Sequence, residues 1–553
     1  MLRPAASPLL ILAVWLVVLA LPPAVLASAE DEALTAVLAS RQHPWVQGGR
    51  FPDVGAEADS LVRRRGGLLW VVDGRPTAPA RDLLARFGRA SELGLPAEAY
   101  ADPRLVAEAR ALAAAPTRDP ARLARFDAAL TVNALRFVTA LARGRVQPDR
   151  AHETLRIARP PFDPGVAVDS LARGLDPDGV IRRVQPPWRH YRVLLDALAR
   201  YRTIARDTTL VPLPALPKVL KPGDPYVGGA RLRRLLLALG DLPAVQARTD
   251  ITDTLYDSTL VAAVKNFQSR QGLKPDGVLG RGTAERLQRP LNDRVREIEL
   301  ALERWRWLPH AFAEPPILVN VPAFRLYAFA GKDDAEADMI AMSVVVGRAY
   351  DTQTPIFTET MKYVIFRPYW DVPYSIATKE IRPKVQRDPA YLARNDYELV
   401  QGSTVVPATA ATIAAIGGSV RVRQTPGPDN ALGRVKFMLP NPYSVYLHDT
   451  NSKGRFAAER RDFSHGCIRV ADPVALARHV LRHQPEWTPE RIDAAMNAEK
   501  PLQVNLERPI PVLVVYATAV ADESGRLHLY PDVYGLDREL SQLLARGYPY
   551  DER

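Results

Sequence analysis

The heptapeptide Ser464-His465-Gly466-Cys467-Ile468-Arg469-Val470 contains the only cysteine of this 553-residue chain. A short distance upstream, Val445-Tyr446-Leu447-His448-Asp449-Thr450 has the apolar and aromatic residues typical of the end of a β-strand. A thiol becomes a strong nucleophile when a base removes its proton, and a nearby imidazole can take that proton and hold the thiolate in an ion pair. The combination predicts a nucleophilic Cys467 with a histidine as its base.

Two histidines compete for the role of base, and their positions favour His448. A histidine at the end of a strand can project its ring into a groove beside the cysteine loop, where the backbone carbonyl of Asp449 is within reach of its far nitrogen. His465 is two residues from Cys467, and a turn at Gly466 would direct the two side chains apart. Gly466 also allows successive backbone N–H groups to point at one spot, which suits an oxyanion hole. We therefore expect His465 to shape the loop.

The region around the motif is predicted to be rich in β-structure from 315 to 535. Strand-like runs of β-branched and aromatic residues occur at 316–321, 325–329, 342–346, 362–366, 445–448 and 512–518. Residues 374–425 interrupt this pattern with polar, helix-like sequence and are predicted to form an insertion. Hinges near Gly402 and Gly417-Gly418 would allow the insertion to cover the catalytic groove as a lid. An insertion that packs elsewhere is the alternative.

The N-terminal half has helical periodicity instead. Residues 30–215 are rich in Ala, Leu and Arg at helical spacing, and they show no polar cluster that suggests chemistry, so we predict a helical scaffold. The four prolines of 206–222 indicate a stiff linker. Residues 216–292 then predict a small unit of three short helices, with a turn at Pro275-Asp276-Gly277. The predicted fold class is thus multidomain α+β.

The first 29 residues predict export. Arg3 precedes an apolar run from Leu9 to Leu21, Pro22-Pro23 ends any helix, and Ala27-Ser28-Ala29 offers small residues for cleavage. The run is short for a membrane span. We expect a signal peptide over 1–29 and a periplasmic location, with an uncleaved inner-membrane anchor as the alternative.

Composition narrows the function classes. The hydrophobic fraction of 47% and the charged fraction of 24% are those of a globular protein. The net charge of +11 comes from scattered arginines, without the basic blocks and interleaved aromatics of a nucleic-acid platform, so no nucleic-acid partner is expected. The positive charge either only keeps the surface hydrated, or attracts the chain to an acidic wall or membrane. A lone thiol in an exported chain is either buried and inert or kept for its reactivity.

The motif resembles the catalytic pattern of the L,D-transpeptidases, the cysteine transpeptidases of peptidoglycan. That pattern is a histidine, about fifteen residues, and then Ser/Thr-His-Gly-Cys, and here 15 residues separate His448 from Ser464. The stretches 367–373, 426–437 and 511–519 resemble the long Gram-negative members with several domains. Residues from Tyr256 to Thr283 resemble the small three-helix peptidoglycan-binding domain, although this copy could also serve only as packing. The resemblance covers most of the chain after the signal.

The resemblance implies a reaction. Cys467 would attack the third residue, a diaminopimelate, of a tetrapeptide stem and release D-Ala, and the amine of another diaminopimelate would then form a 3→3 cross-link. Such enzymes take part in wall synthesis and cell shape, work with other wall-synthesis proteins and are acylated at the thiol by carbapenems. No cofactor or metal is implied. The backbone donors of the oxyanion hole would come from His465, Gly466 and Cys467.

Several assignments stay open at this stage. Arg469, where short members usually have Asn, could meet a substrate carboxylate or pair with Asp472. Tyr446, Trp370 and Ser464 are candidate substrate contacts, and the two aromatics could equally be core residues. The same chemistry could serve lipoprotein attachment or cross-link cleavage. Different classes are a zinc hydrolase that uses His448, His465 and Cys467, a papain-like protease, in which the cysteine precedes the histidine in the chain, and a non-catalytic wall-binding protein.

Overall fold

The computed structural model describes residues 28–550, apart from 154, 158, 217–218, 245–253, 332–338 and 349–351. The predicted signal peptide therefore lies outside the described residues, except for Ser28 and Ala29 at its end. Ser28 caps the first helix by accepting a hydrogen bond from the backbone of Asp31. In the part of the chain that is described, no helix is both long and apolar enough to cross a membrane.

The N-terminal unit is helical, as predicted. Its helices are α1 Ala29–Ala39, α2 Gly55–Arg65, α3 Ala78–Gly88, α4 Pro103–Ala114, α5 Pro120–Arg143, α6 Pro148–Ala151, α7 Pro164–Ala172, α8 Pro177–Val184 and α9 Arg189–Ala205. Three short strands accompany them, β1 Val71–Val72, β2 Arg75–Pro76 and β3 Leu155–Arg156. The long helix α5 is buried almost all round because α1, α2, α4, α7 and α8 pack against it.

The second unit consists of short helices that lie between the scaffold and the C-terminal domain. They are α10 Gly229–Leu239, α11 Ser258–Arg270 and α12 Arg281–Gln288, and α13 Leu291–Trp305 follows. Asp257 caps α11, and Gln268 inside this unit bonds to Asp276, Val278 and Thr283, which holds the predicted Pro-Asp-Gly turn against α11. Arg270 donates to the carbonyl of Leu527 at 2.7 Å, so this unit is docked on the C-terminal domain.

The C-terminal region contains most of the strands. In chain order they are β4 Ile317–Asn320, β5 Arg325–Phe329, β6 Met339–Gly347, β7 Ile356–Phe366, β8 Trp370–Asp371, β9 Tyr397–Gln401, β10 Thr404–Val406, β11 Val420–Gln424, β12 Val435–Met438, β13 Leu447–His448, β14 Asp462–Ser464, β15 Ile468–Val470, β16 Leu502–Val515, β17 Ala519–Ala521 and β18 Leu527–Leu529. The helices are α14 Tyr374–Ile376, α15 Arg382–Arg387, α16 Tyr391–Arg394, α17 Ala410–Ala414, α18 Pro473–Val480, α19 Pro489–Met496 and α20 Leu536–Leu544, and a π-helical turn, Ala377–Ile381, joins α14 to α15.

Eight of these strands close into a barrel. The order β12-β13-β15-β6-β5-β4-β16-β7 returns to its start because β7 pairs with β12 through Phe366↔Val435 and the three following pairs. Since side chains alternate along each strand, one set fills the barrel and the other faces outward. Leu326, Val344, Leu447 and Ile468 belong to the buried inner set. The predicted multidomain α+β arrangement is confirmed.

The insertion matches its prediction in part. It contains the predicted helical segments, α14 to α17 with the π-helical turn, and β8, β9, β10 and β11 form a separate four-stranded sheet beside them. Its buried residues, from Val372 to Val422, form a hydrophobic core of their own. The predicted hinges were wrong: Gly402 and Gly417 lie in turns inside the insertion, with φ of +62° and +90°. The strands were not predicted because short strands with exposed polar faces resemble polar helix in composition.

Two chain segments connect the insertion to the barrel, and Asn430 ties them together. The Asn430 side chain is fully buried and donates to the carbonyls of Pro368 and Thr425 at 3.2 and 2.8 Å. Gln424 adds bonds to Asn395 and Asp429. The insertion is therefore a folded unit on a hydrogen-bonded neck.

The end of the chain returns to the scaffold. The guanidinium carbon of Arg136 lies 4.5 Å from the centroid of the Tyr548 ring. The hydroxyl oxygens of Tyr548 and Tyr100 are 3.2 Å apart. Glu303 on α13 accepts backbone N–H groups of Arg145 and Val146 on the scaffold side. The scaffold thus contacts the catalytic region through α13 and the C-terminal segment, and β3 extends β7 in parallel.

Candidate active site

The candidate catalytic residues lie together on the outer face of the barrel. Strands β13 and β15 are parallel neighbours, with Leu447 beside Ile468 and His448 beside Arg469. Leu447 and Ile468 point into the barrel, so Tyr446, His448, Cys467 and Arg469 are directed outward. Lys436 on β12 joins this face because it pairs with His448. Sequence positions 436, 446–448 and 467–469 meet here only because the sheet brings three strands side by side.

Cys467 is held in a partly buried position. Its Sγ is 3.6 Å from the carbonyl oxygen of Ser444, and Tyr446 contacts it through both its backbone and its hydroxyl. Burial raises the pKa of the Cys467 thiol, and Tyr446, Arg469 and Lys436 oppose that effect by favouring the thiolate. Burial thus favours the thiol form, while the three neighbours favour its anion.

His448 is buried beside this thiol, with a defined partner for one ring nitrogen. Nδ1 lies 2.5 Å from the backbone carbonyl oxygen of Asp449, the contact that the sequence predicted for a base. A neutral ring that donates from Nδ1 presents Nε2 as the acceptor. Burial, with Arg469 nearby, lowers the pKa of His448 to about 3. Burial thus disfavours the charged forms of both groups, the imidazolium of His448 and the thiolate of Cys467.

Strand geometry places the two groups within reach of each other. Cys467 is the lateral neighbour of Tyr446, and His448 is two residues further along the same strand as Tyr446. Strand spacings of about 4.8 Å across and about 6.6 Å along separate the Cα atoms by about 8 Å. An imidazole and a thiol that project from the same face can bridge that distance. The ring of His448 also packs edge-on against Tyr446, 5.7 Å between centroids.

The carboxylate of Asp449 fixes the carbonyl that holds His448. It accepts the backbone N–H of Arg434 at 2.8 Å and pairs with Lys453 at 2.5 Å. Gly433 is needed for this approach, because a Cβ there would come within 2.4 Å of the Asp449 carboxyl carbon. The sequence motif identifies Asp449 but not Gly433 or Lys453, because these two residues are far from Cys467 along the chain.

Ser464 was predicted as a substrate contact, and the structure shows otherwise. It is only 2% exposed. Its Oγ donates to the carbonyl of Cys467 at 2.6 Å and accepts the N–H of Gly466 at 3.2 Å. The hydroxyl therefore closes the Ser-His-Gly-Cys turn on itself. Thr354 supports the same turn by donating to the carbonyl of Gly466 at 2.8 Å.

The predicted set of backbone donors in the oxyanion hole needs one correction. Gly466 has φ of +111°, so the predicted turn at this glycine is present. The N–H of Gly466 is occupied by Ser464, so it is not available to a substrate oxygen. For the N–H groups of His465 and Cys467, no acceptor is found within the described part of the chain. These two are the remaining candidate donors.

His465 points away from the cluster, towards the insertion. Its Nε2 is 2.9 Å from Oε1 of Glu380 in the π-helical turn of the insertion, and both side chains are partly exposed. The insertion therefore contacts the catalytic loop directly. Glu380 was not identified from the sequence, because nothing in a polar helical stretch distinguishes the one carboxylate that meets the loop.

Arg469 is beside the thiol, and the alternative of a pair with Asp472 is wrong. Asp472 instead caps α18 by accepting the N–H of Ala475 at 2.9 Å. Arg469 has no acidic partner among the described residues, and its Nε is buried without a hydrogen bond there. Burial, with Arg455 nearby, lowers the pKa of Arg469. A buried guanidinium without a counter-ion next to a nucleophile is suited to an anionic substrate group.

Of the remaining predicted substrate contacts, one belongs to the cluster and the other does not. Tyr446 belongs to the cluster, since its hydroxyl contacts the thiol. Trp370 does not: it packs on the core of the insertion, with its ring 6.2 Å from that of Tyr397. Lys436, which the sequence analysis did not identify, has its Nζ 5.6 Å from the Tyr446 ring, and burial lowers its pKa. Its signal was present in the alternation of Val435, Lys436 and Phe437, which places a lysine outward between two inward residues.

A metal at these residues would need convergent ligands. Over the described ranges, no group of three or more His, Cys, Asp or Glu side chains is arranged to hold an ion. His465 is directed to Glu380, while His448 is held by the Asp449 carbonyl.

Comparison with known protein families identifies three domains. Residues 315–494 match the L,D-transpeptidase catalytic domain, residues 62–198 match a scaffold domain, and residues 230–287 match a family described as "Putative peptidoglycan binding domain". The site described above lies inside the first of these. The resemblance drawn from the Ser-His-Gly-Cys motif is confirmed at the level of these domains.

A relative from Haemophilus influenzae (strain ATCC 51907 / DSM 11121 / KW20 / Rd) is named "Putative L,D-transpeptidase". It is 31% identical over 229 residues, which are 41% of this chain and 45% of the relative. The match thus spans less than half the length of the relative.

Proposed function

We propose that this protein is an L,D-transpeptidase that forms 3→3 cross-links in peptidoglycan through a thioester on Cys467. The observation that carries the proposal is the outward-facing cluster of Cys467, Tyr446 and His448 within a domain that matches the L,D-transpeptidase catalytic family. An isolated thiol would not need a base held by a backbone carbonyl, nor cations around it.

In the acylation step, the Cys467 sulfur attacks the carbonyl carbon of the third residue, a diaminopimelate, of a tetrapeptide stem. His448 takes the thiol proton as the carbon–sulfur bond forms, because its neutral ring presents a free nitrogen. The N–H groups of His465 and Cys467 receive the developing oxyanion. The imidazolium then donates its proton to the leaving amine, and D-Ala departs.

In the second step, the side-chain amine of another diaminopimelate attacks the thioester. His448 removes a proton from that amine, the carbon–sulfur bond breaks, and the proton returns to Cys467. The product is a 3→3 amide bond. Arg469 and Lys436 favour the thiolate as a leaving group in this step, just as they favour it as a nucleophile in the first.

The anionic character of stem peptides fits the cations of the site. Arg469 has no acidic partner within the described residues, and Lys436 is partly buried nearby. A stem peptide supplies carboxylates that can pair with them. We assign Arg469 to a substrate carboxylate on this basis.

The insertion serves as a lid in this proposal. Glu380 contacts His465 in the catalytic loop, so the insertion stands at the rim of the groove, and its neck at Asn430 is where a closing motion would pivot. Closure would exclude water, which competes with the acceptor amine for the thioester. The domain at 230–287 would hold the wall nearby, and export by the N-terminal segment would place the enzyme in the periplasm.

Mass analysis of muropeptides tests the proposal. Purified protein incubated with diaminopimelate tetrapeptides should produce 3→3 dimers and release D-Ala, and Cys467→Ala should produce neither. Hydrolysed tripeptides without dimers, or transfer only to a lipoprotein terminus, would reject the cross-linking role and retain the thioester chemistry. Unchanged substrate in all reactions would favour a wall-binding protein without activity.

The same assay separates the two histidines. His448→Ala should leave almost no acylation, because the base is lost, whereas His465→Ala should leave a measurable fraction, because its side chain contacts only the insertion. The reverse order of activities would exchange their roles.

A further inference from the structure

A cavity with mainly apolar walls lies away from Cys467. It has a volume of about 340 Å³ and lies on another sector of the outer barrel face, over β4, β5, β6 and β16. The ends of α9 and α13 and the β17–β18 hairpin cover it. Its walls include the side chains of Trp188, Trp305, Phe312, Tyr327, Phe329 and Leu513. Volume and lining are those of a small-molecule site.

The walls of the cavity are mainly apolar, with Asn320, Asp522 and His528 among the polar side chains that line it. Two hydrogen-bond donors on these walls are not used within the described structure. Nε1 of Trp188 and Nε1 of Trp305 are both buried, and neither has an acceptor among the residues that the structure describes. The Trp188 ring packs on Phe312, 5.3 Å between centroids, so it is fixed in place. Buried indole N–H groups normally find a partner.

A polar cleft of about 520 Å³ adjoins the cavity, and Arg325 and Tyr530 line both spaces. The cleft lies between the barrel, residues 269–274 of the small helical domain, and the loop 457–461. The backbone N–H of Lys274 in that domain donates to the side chain of Glu459 at 2.8 Å. Glu459 is the one carboxylate among the described residues that line the cleft.

Two guanidinium groups face this cleft without a carboxylate between them. Arg461 donates only to the backbone carbonyls of Phe324, Val344 and Ala458. Burial, together with the neighbouring Arg325, lowers the pKa of Arg461. Arg325 has no ion-pair partner within the described ranges.

The described side chains that line the cleft include three cations, Lys274, Arg325 and Arg461, and one carboxylate, Glu459. Positive charge is therefore in excess among them, next to a cavity with mainly apolar walls.

We propose that the cavity and the cleft together form a binding site for a single-chain anionic amphiphile. The hydrocarbon chain occupies the cavity, and a carboxylate or phosphate head lies at Arg325 and Arg461. Apolar walls favour the chain because it leaves water. The guanidinium pair selects an anionic head over a neutral one.

This site is separate from the catalytic cluster. Arg325 is two strands from Cys467 and four residues along, so the Cα atoms are about 17 Å apart by strand geometry. The proposal therefore does not depend on the proposed transpeptidase reaction, and each can fail without the other.

Tryptophan fluorescence tests it directly, because two tryptophans line the cavity. The probe is 10-bromodecanoate, whose bromine quenches indole emission, added to purified full-length protein in detergent-free buffer below its micelle concentration. We expect saturable quenching that decanoate displaces. Quenching that rises linearly without saturation would overturn the proposal.

Three variants separate the contributions. Ala341→Phe fills the cavity from an exposed position opposite Tyr327 and should abolish the saturable quenching. Arg325→Met should weaken bromodecanoate binding about tenfold, the order expected for one charge-assisted contact, and leave displacement by decanol unchanged. Arg508→Met, an exposed arginine elsewhere on β16, is the matched control and should bind normally.

Three further outcomes would each contradict part of the proposal. Equal quenching of the wild type and Ala341→Phe would place the ligand elsewhere. Equal affinity of Arg325→Met and the wild type for bromodecanoate would reject the role of the guanidinium. Binding to phosphatidylglycerol vesicles without binding to monomeric decanoate or dodecyl phosphate would show a membrane surface contact instead of a cavity. Circular dichroism of each variant, which does not depend on the proposed reaction, reports whether the fold is intact.

Discussion

Acidification provides a sharp test of the buried base. His448 is 4% exposed, and burial lowers its pKa to about 3 from the ordinary value of 6.5. The folded-state pKa lies below the unfolded one, so the unfolded chain binds the proton first. This contribution to stability is complete above pH 6.5 and is lost as the pH falls towards 3.

The magnitude follows from the two values. Each pH unit below 6.5 changes the free energy of unfolding by up to about 1.4 kcal/mol, so the loss between pH 7.5 and pH 5 is about 2 kcal/mol for this one group. Replacing His448 by Gln removes the titrating group. The variant should therefore lose about 2 kcal/mol less than the wild type over that interval.

The assay combines urea unfolding at pH 7.5 and pH 5 with NMR of ¹³C-labelled histidine rings, in which the variant identifies the His448 signal. That signal should remain at its neutral position down to pH 5. His479→Gln is a matched control, because burial also lowers the pKa of His479 to about 4. It should show a similar stability difference but retain carbapenem acylation, which His448→Gln should lose.

A titration midpoint near pH 6.5 for the His448 ring, or equal acid sensitivity of wild type and His448→Gln, would refute the prediction of a neutral His448 ring. In that case the site would hold an imidazolium near neutral pH, and proton transfer from the thiol would precede substrate binding.

The other predictions concern the catalytic loop. Cys467→Ala should abolish carbapenem labelling, seen by intact mass, while circular dichroism stays unchanged; label at a single site of this variant would contradict the mechanism. Ser464→Ala leaves the Gly466 N–H unsatisfied and should lower the free energy of unfolding by about 1–3 kcal/mol, with Ser464→Thr closer to wild type; equal melting temperatures would contradict the closed turn. Gly466→Ala strains a backbone at φ of +111° and should cost a similar about 1–3 kcal/mol and most acylation, which calorimetry and mass analysis would show. Glu380→Gln should raise amide hydrogen exchange in the insertion and reduce cross-linking more than carbapenem acylation; unchanged exchange would remove the role of the His465 contact.

Much of the candidate site could be predicted from the chain because its signals are local. The spacing of His448 and Cys467, the glycine between them and the strand-like run before His448 are all short-range patterns. The Asp449 carbonyl could be predicted as well, since it adjoins the histidine that it holds. Sequence patterns of this kind report on neighbours along the chain.

The errors arose where a residue acts through distant neighbours. Ser464 was expected to face substrate, and its hydroxyl instead closes the turn. The insertion has the helices that were predicted, but its sheet and the positions of its glycines in turns were not, because its short strands pair only in the folded unit. Trp370 was a candidate contact and is a core residue of that insertion.

The sequence by itself predicted the candidate nucleophile, its candidate base and the order of domains, because these predictions depend on residue type and spacing along one chain. The closure of the barrel decided the rest. Pairing of β7 with β12 sets which side chains of β13 and β15 face outward, and so it brings Lys436 and Arg469 to the thiol. Only that arrangement gives the burial that disfavours the charged forms of His448 and Cys467. Burial and charge proximity are properties of packed strands, and no local pattern of residues contains them.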